Sequence, residues 1–192
     1  MEKVKAFCKR KNIEISVKRY LIDALGAMAQ GLFASLLIGT IISTLGTQLN
    51  IPILVTVGTY AKAAVGPAMA IAIGYALQAA PLVLFSLAAV GAAANELGGA
   101  GGPLAVLVVA IFAAEFGKAV SKETKIDIIV TPFVTIFVGV ALSIWWAPAI
   151  GAAASAVGNA IMWATELQPF FMGIIAVSYT HLRAHETRRH LV

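Results

Sequence analysis

The chain has 192 residues, of which 60% are hydrophobic and only 12% are charged, and its mean hydropathy is +0.90. Soluble domains are about 45–50% apolar and about 25% charged, so this composition excludes a soluble domain and indicates a chain embedded in a bilayer. The formal charge of +5 does not indicate nucleic-acid binding, because Lys and Arg lie mainly at the two ends and in one short loop, without interleaved aromatic residues. One cysteine, Cys8, supplies neither a disulfide framework nor a metal cluster, so no metal or other cofactor is expected.

Residues 1–19 form a basic N-terminal segment in which lysines and arginines greatly outnumber Glu2 and Glu14. Apolar residues such as Val4, Phe7 and Ile13 are scattered among the cations. Two interpretations stay open: an amphipathic helix that lies on the membrane surface, or a solvated cytoplasmic tail.

Residues 20–176 contain apolar segments separated by turn residues. A span needs about 20 predominantly apolar residues, and the short stretch Ile53–Tyr60 is better explained as an interfacial or re-entrant piece. The sequence predicts an all-α, polytopic transmembrane helical bundle of about six spans. The predicted spans are Tyr20–Leu45, Ala64–Leu77, Leu82–Ala94, Pro103–Val120, Ile126–Trp146 and Ile150–Ala176, with Trp145–Pro148 as the interfacial end of the fifth.

Two basic clusters predict the orientation. The N-terminal segment should be cytoplasmic, because Lys and Arg concentrate on that side of a membrane. Counted from there, the loop Ser121–Lys125 follows the fourth span and lies on the cytoplasmic side again. Lys118, Lys122 and Lys125 lie in or beside this loop, so both clusters agree on one side.

The segment Gly98–Pro103 is predicted to interrupt the helices, because its four glycines and one proline disfavour helix. Within lipid, non-helical backbone of this kind lines a cavity or forms a loop, and such breaks often lie near transporter substrate sites. The glycines elsewhere in the apolar spans are explained as helix-packing positions.

Acidic residues within the spans are candidates for function, because inserting a charge into a bilayer must be offset by something. Three of them have structural explanations: an ion pair of Asp23 with the Lys18–Arg19 pair, an i,i+3 pair of Glu115 with Lys118, and Asp127 at a helix N-terminus. Glu96 and Glu166 differ, because neither has a Lys or Arg within two turns. They are the candidate polar sites, and an interhelical hydrogen bond is the structural alternative.

Two further observations bear on the candidate polar sites Glu96 and Glu166. Asn159 precedes Glu166 by seven residues and so shares its helical face. No phosphate-binding loop, triad or zinc motif is present, so no catalytic residue is expected and any phosphoryl group would be carried by a partner.

Residues 177–192 change composition abruptly and contain His181, His185 and His190, the three histidines of the chain. They could be interpreted as a metal site or a lipid-head-group patch. However, the tail resembles translated sequencing adapter joined to a truncated reading frame, and it is excluded from the fold prediction. The authentic sequence is then expected to end near Ala176.

Four segments together carry a resemblance to a known family: MEKVKAFCKRKNIEISVKRYLIDALGAMAQGLFASLLIGTII, AAANELGG, AEFGKAVSKETKIDIIVTP and NAIMWATELQPFFMGII. They resemble the enzyme IIC-like membrane subunits of the bacterial phosphotransferase system (PTS). The resemblance implies a roughly twice-longer protein with about ten spans, of which residues 20–176 are part.

The same resemblance implies function and partners. It implies sugar uptake across the bacterial inner membrane, with phosphorylation of the sugar through separate IIB and IIA proteins, in a multi-pass protein surrounded by lipid and forming a homodimer. In such families a polar Asn/Glu element binds the sugar, a role that falls here on Asn95 and Glu96, and more weakly on Glu166 and Gln168. The alternative is a membrane sensor or regulator that kept the fold without transport.

Overall fold

The computed structural model describes Phe7, Arg10, Lys11, Ile13 and residues 16–123 and 125–166. Within these residues the regular structure is helical. The described residues up to Ala153 belong to one compact unit and residues 154–166 to a second. The helices are α1 (Lys18–Gln48), α2 (Pro52–Ala63), α3 (Val65–Ala76), α4 (Pro81–Gly98), α5 (Gly102–Val120) and α6 (Asp127–Glu166).

Helix α1 runs antiparallel to α2 and α3. It contains two π-helical stretches, Lys18–Asp23 and Phe33–Leu37. Glycines let the backbones approach closely: a Cβ added to Gly46 would lie 2.6 Å from the Val55 nitrogen, and one added to Gly31 would lie 2.7 Å from the Ala68 oxygen. Residue numbers rise along α1 while those of its contacts on α2 and α3 fall, so the pairing is antiparallel.

Helices α2 and α3 form one bent pair, with an angle of 47° at the break around Ala64. Pro67 explains the bend, because its ring has no N–H to donate and clashes with the carbonyl four residues earlier, that of Ala63. Ile53–Tyr60 is therefore part of a regular helix packed on α1, rather than an isolated interfacial piece.

Helices α4 and α5 form a hairpin that packs against α3. Val83 meets Gly117 at one end of the pair and Gly98 meets Ala105 at the other, so the two helices are antiparallel. The hairpin closes through a 3₁₀ turn, Gly99–Gly101, and Gly99 has φ 50°. The predicted glycine interruption is thus present as a tight turn. The side chains buried in this region include Met69, Ile73, Leu87, Val90, Val106 and Val109.

The first half of α6 packs against α4 and α5. A Cβ on Gly139 would lie 2.6 Å from a Val90 methyl carbon, and Trp146 meets Phe112 edge to face at 5.1 Å between ring centroids. The predicted break between the fifth and sixth spans is absent from the described residues, because α6 continues through Pro148 to Glu166. An internal proline removes one helical hydrogen bond and can kink a helix, but here the helix persists.

Three helical stretches are long and apolar enough to cross a membrane: Lys18–Gln48, Pro81–Val120 and Asp127–Ala160. The bent pair α2–α3, a broken span or a re-entrant loop by length and composition, brings the number to four if it counts as one span. The predicted number of about six spans is therefore not confirmed, although the second stretch folds back on itself at Gly99–Gly101. Large apolar side chains cover the outer surface, as Phe85 at 73% exposure and Trp145 at 79% illustrate. The all-α membrane-bundle prediction is confirmed.

Candidate functional site

Asn95 lies in the last turns of α4, immediately before the Gly99–Gly101 turn, and is half-buried. Two glycines make room for it. A Cβ on Gly66 of α3 would lie 2.8 Å from the Asn95 Cβ, and a Cβ on Gly102 of α5 would lie 2.7 Å from the Asn95 Oδ1. The Asn95 side chain therefore packs where α3, α4 and α5 meet at one end of the bundle, against two buried glycines.

Glu96 follows in sequence but faces a different direction, because successive residues of a helix are rotated by about 100°. Its side chain is exposed. No ion pair joins it to a Lys or Arg in the part of the chain that the structure describes. Asn95 and Glu96 are therefore neighbours in sequence at this end, but the amide packs among helices whereas the carboxylate lies on the surface.

The other predicted site residues lie in the second unit or outside the described residues. Glu166 is the last residue of α6, and Gln168 lies outside the described residues. Asn159 is exposed on α6. The three histidines of the tail also lie outside the described range.

A charged cluster at the opposite end of the α4–α5 hairpin was only partly predicted. Lys118 is almost fully buried, and its Nζ lies 2.9 Å from the Glu115 Oε1, which confirms the predicted i,i+3 pair. The same Nζ donates to the Leu77 carbonyl at 3.2 Å, and Arg19 donates to that carbonyl at 2.7 Å. Cations at the C-terminal end of α3 are favoured by the negative end of the helix dipole.

The N-terminal segment attaches at this end. Arg10 and Lys11 each lie 2.7 Å from the Glu123 Oε1, and Lys11 also donates to the Ser121 carbonyl. The hydrogen bond from Lys11 is the main reason why the pKa of Glu123 lies below the usual range, with the nearby charge of Arg10 adding to the effect. These contacts place the two basic clusters on one side, as the sequence predicts.

Asp127 has the hydrogen bonds expected at a helix start, whereas Asp23 is exposed. The Asp127 carboxylate accepts hydrogen bonds from the Lys122 N–H at 2.7 Å and the Thr131 hydroxyl at 2.6 Å, which supports the predicted role at a helix start. Asp23 is exposed, and its ion pair with the Lys18–Arg19 pair stays a prediction. Those residues also contain no group of three His, Cys, Asp or Glu side chains suited to a metal.

An apolar exterior, close glycine-mediated helix contacts and charges gathered at the helix ends define a multi-pass membrane protein. A family model described as "Phosphotransferase system, EIIC" matches residues 22–182. The chain belongs to this family of PTS sugar-transport membrane subunits, which confirms the resemblance seen in the sequence. The comparisons with curated proteins and with solved structures gave no match.

Proposed function

We propose that this chain forms part of a membrane permease subunit that binds a sugar and moves it across the bacterial inner membrane, while a partner IIB protein phosphorylates the sugar. The family match over residues 22–182 is the observation that carries the proposal. IIA acts upstream of IIB in the same relay, and the full protein works as a homodimer in contact with lipid. No observation favours the regulatory alternative, a sensor without transport.

Asn95 and Glu96 are the proposed sugar-binding residues, with Glu166 and Gln168 as secondary candidates. Sugar hydroxyls need both donors and acceptors, which an amide and a carboxylate supply together. The proposal is supported by the polarity of the two side chains and by the place of Asn95 at the junction of α3, α4 and α5, where Gly66 and Gly102 admit its side chain.

The test uses the full-length protein in membrane vesicles supplied with phosphorylated IIB, and measures phosphorylation and uptake of labelled sugars. A hydrogen bond to a charged group contributes about 1.5–3 kcal/mol, so Glu96→Gln should lower kcat/KM by about tenfold or more. Asp23→Asn is the matched control, because Asp23 is likewise an exposed acid on a helix but is not proposed to bind the sugar. Normal insertion with unchanged transport in Glu96→Gln would reject the site.

A second outcome addresses the function itself. If the wild-type protein inserts normally, yet phosphorylates and transports none of a panel of sugars with active IIB, the transport proposal fails and the regulatory alternative gains support.

A further inference from the structure

A cavity of about 460 Å³ opens beside the attachment point of the N-terminal segment. It lies between that segment, the turn that joins α3 to α4, and the loop that follows α5. Nine residues line it: Arg10, Lys11, Gln78, Ala80, Pro81, Lys118, Ser121, Lys122 and Glu123. Its size falls within the range of about 300–1,000 Å³ that is typical of small-molecule sites.

The lining is strongly positive. Arg10, Lys11, Lys118 and Lys122 contribute four cations, whereas Glu123 is the one acidic residue among the lining residues. Glu123 is shared by Arg10 and Lys11, so its single charge cannot neutralise both. Glu115 lies outside the lining and balances Lys118 only. Asp127 lies close by and accepts a hydrogen bond from the Lys122 N–H, yet the four cations still outnumber the three acids Glu115, Glu123 and Asp127.

The backbone adds to the same preference. Ala80 and Pro81 bring the start of α4 to the cavity wall, and α4 is a helix of 18 residues. No side chain caps this N-terminus. Pro81 has no N–H to donate, so what this N-terminus contributes is the positive end of the helix dipole, which attracts anions.

We propose that this cavity binds a phosphate group. Four cations at separate positions suit a group that carries more than one negative oxygen and accepts hydrogen bonds in several directions, and lysines bind phosphate as point charges. The group belongs either to the head group of an anionic lipid or to a soluble phosphorylated molecule, since the cavity opens at the end of the bundle where the charges gather. The proposal does not rest on sugar binding at Asn95 and Glu96.

Lys122 is the best position to test. It lies on the exposed side of the cavity and has φ 63°, a conformation that asparagine adopts more easily than most residues. Lys122→Asn should therefore remove a charge with little strain. Lys125→Gln is the matched control, because Lys125 lies in the same loop and is exposed but does not line the cavity.

The experiment has two arms on the purified full chain. One measures binding of radiolabelled inorganic phosphate and glycerol 3-phosphate by equilibrium dialysis in neutral detergent. The other counts phosphatidylglycerol and phosphatidylcholine molecules retained in native mass spectra. One lysine contributes about 1 kcal/mol to attraction of an anionic head group, so Lys122→Asn should weaken binding about fivefold, whereas Lys125→Gln should keep it.

Each outcome decides the proposal. Binding of the soluble phosphates identifies a soluble ligand, and selective retention of phosphatidylglycerol identifies a lipid; both support the site if Lys122→Asn weakens them. Binding of neither class overturns the proposal. Equal effects of Lys122→Asn and Lys125→Gln also overturn it, because they would indicate general surface charge.

Discussion

Lys11 and Glu123 form an ion pair of 2.7 Å, although one precedes the first helix and the other follows the fifth. Their contact requires that the chain return to its starting side after α5. The antiparallel order of the helices gives the same result, because α1, the bent pair α2–α3, α4 and α5 alternate in direction. Two basic clusters on one side are what the charge bias of membrane proteins produces.

The ion pair should respond to acid. The folded pKa of Glu123 is depressed, mainly by its hydrogen bond with Lys11, so its stabilising effect is present above the ordinary glutamate pKa of about 4.3. The effect is lost as the pH falls further, through the depressed folded value. Pulsed electron paramagnetic resonance between spin labels at positions 13 and 126 should show a longer and broader distance distribution at about pH 3 than at about pH 7.

The control for this prediction is Glu123→Gln, in which the broad distribution should be present at every pH. If this variant matches the wild type at neutral pH, the ion pair does not hold the N-terminal segment in place.

Close contact between α3 and α4 depends on Gly66. A Cβ at this position would overlap the carbonyl oxygen of Gly91 and lie 2.8 Å from the Asn95 Cβ. Gly66→Ala should therefore lower the free energy of unfolding by about 1–3 kcal/mol, because one of the obstructing groups is backbone and cannot rotate away. Thermal unfolding in detergent, followed by circular dichroism, measures the change.

Gly26→Ala is the matched control, since a Cβ there meets nothing within 4 Å. It should leave stability unchanged or raise it slightly, because alanine favours helix over glycine by about 1 kcal/mol. Equal stability of the two variants would mean that α3 and α4 are farther apart than described.

The buried pair of Lys118 and Glu115 should be sensitive to the loss of one partner. The Glu115 Oε2 is buried and accepts no hydrogen bond from the described residues, so Lys118 is its main compensation. Lys118→Met should lower the free energy of unfolding by about 3–5 kcal/mol, because it leaves a buried charge unpaired. The measurement is again thermal unfolding in detergent.

A double variant separates charge from packing. Lys118→Met with Glu115→Leu removes both charges and should recover most of the lost stability, since apolar residues can replace a buried ion pair. If the double variant is as unstable as the sum of the two single variants, the residues do not act as a pair.

Local sequence signals predicted the helix starts and the turns well. Pro81 and Pro103 lie in the first turns of α4 and α5, where the missing N–H costs nothing. The predicted loop Ser121–Lys125 lies between α5 and α6. The errors arose where a local signal competes with the context. Pro148 and the preceding tryptophans are typical of a helix end at an interface, yet α6 continues because an internal proline removes only one hydrogen bond.

Contacts between distant residues could not be predicted. The sequence indicated the Glu115–Lys118 pair from its spacing, but not that Arg19 and Lys118 share the Leu77 carbonyl, which depends on how α1, α3 and α5 pack. The pairing of Gly66 with Asn95 has the same origin. Polarity and the family resemblance indicate Asn95 and Glu96 as site residues, and their role in sugar binding stays a prediction.

The most direct test of the fold is the sidedness of its loops. Helix α5 has 19 residues, about 28 Å at 1.5 Å per residue, close to the thickness of a bilayer core of about 30 Å. The reporters are the native Cys8 and two variants in a Cys8→Ser background, Ala100→Cys and Lys125→Cys. Labelling with a membrane-impermeant maleimide should modify Ala100→Cys in spheroplasts, and Cys8 and Lys125→Cys only in inside-out vesicles. Reaction of Ala100→Cys and Lys125→Cys from the same side would contradict the account, because α5 would then not cross the membrane.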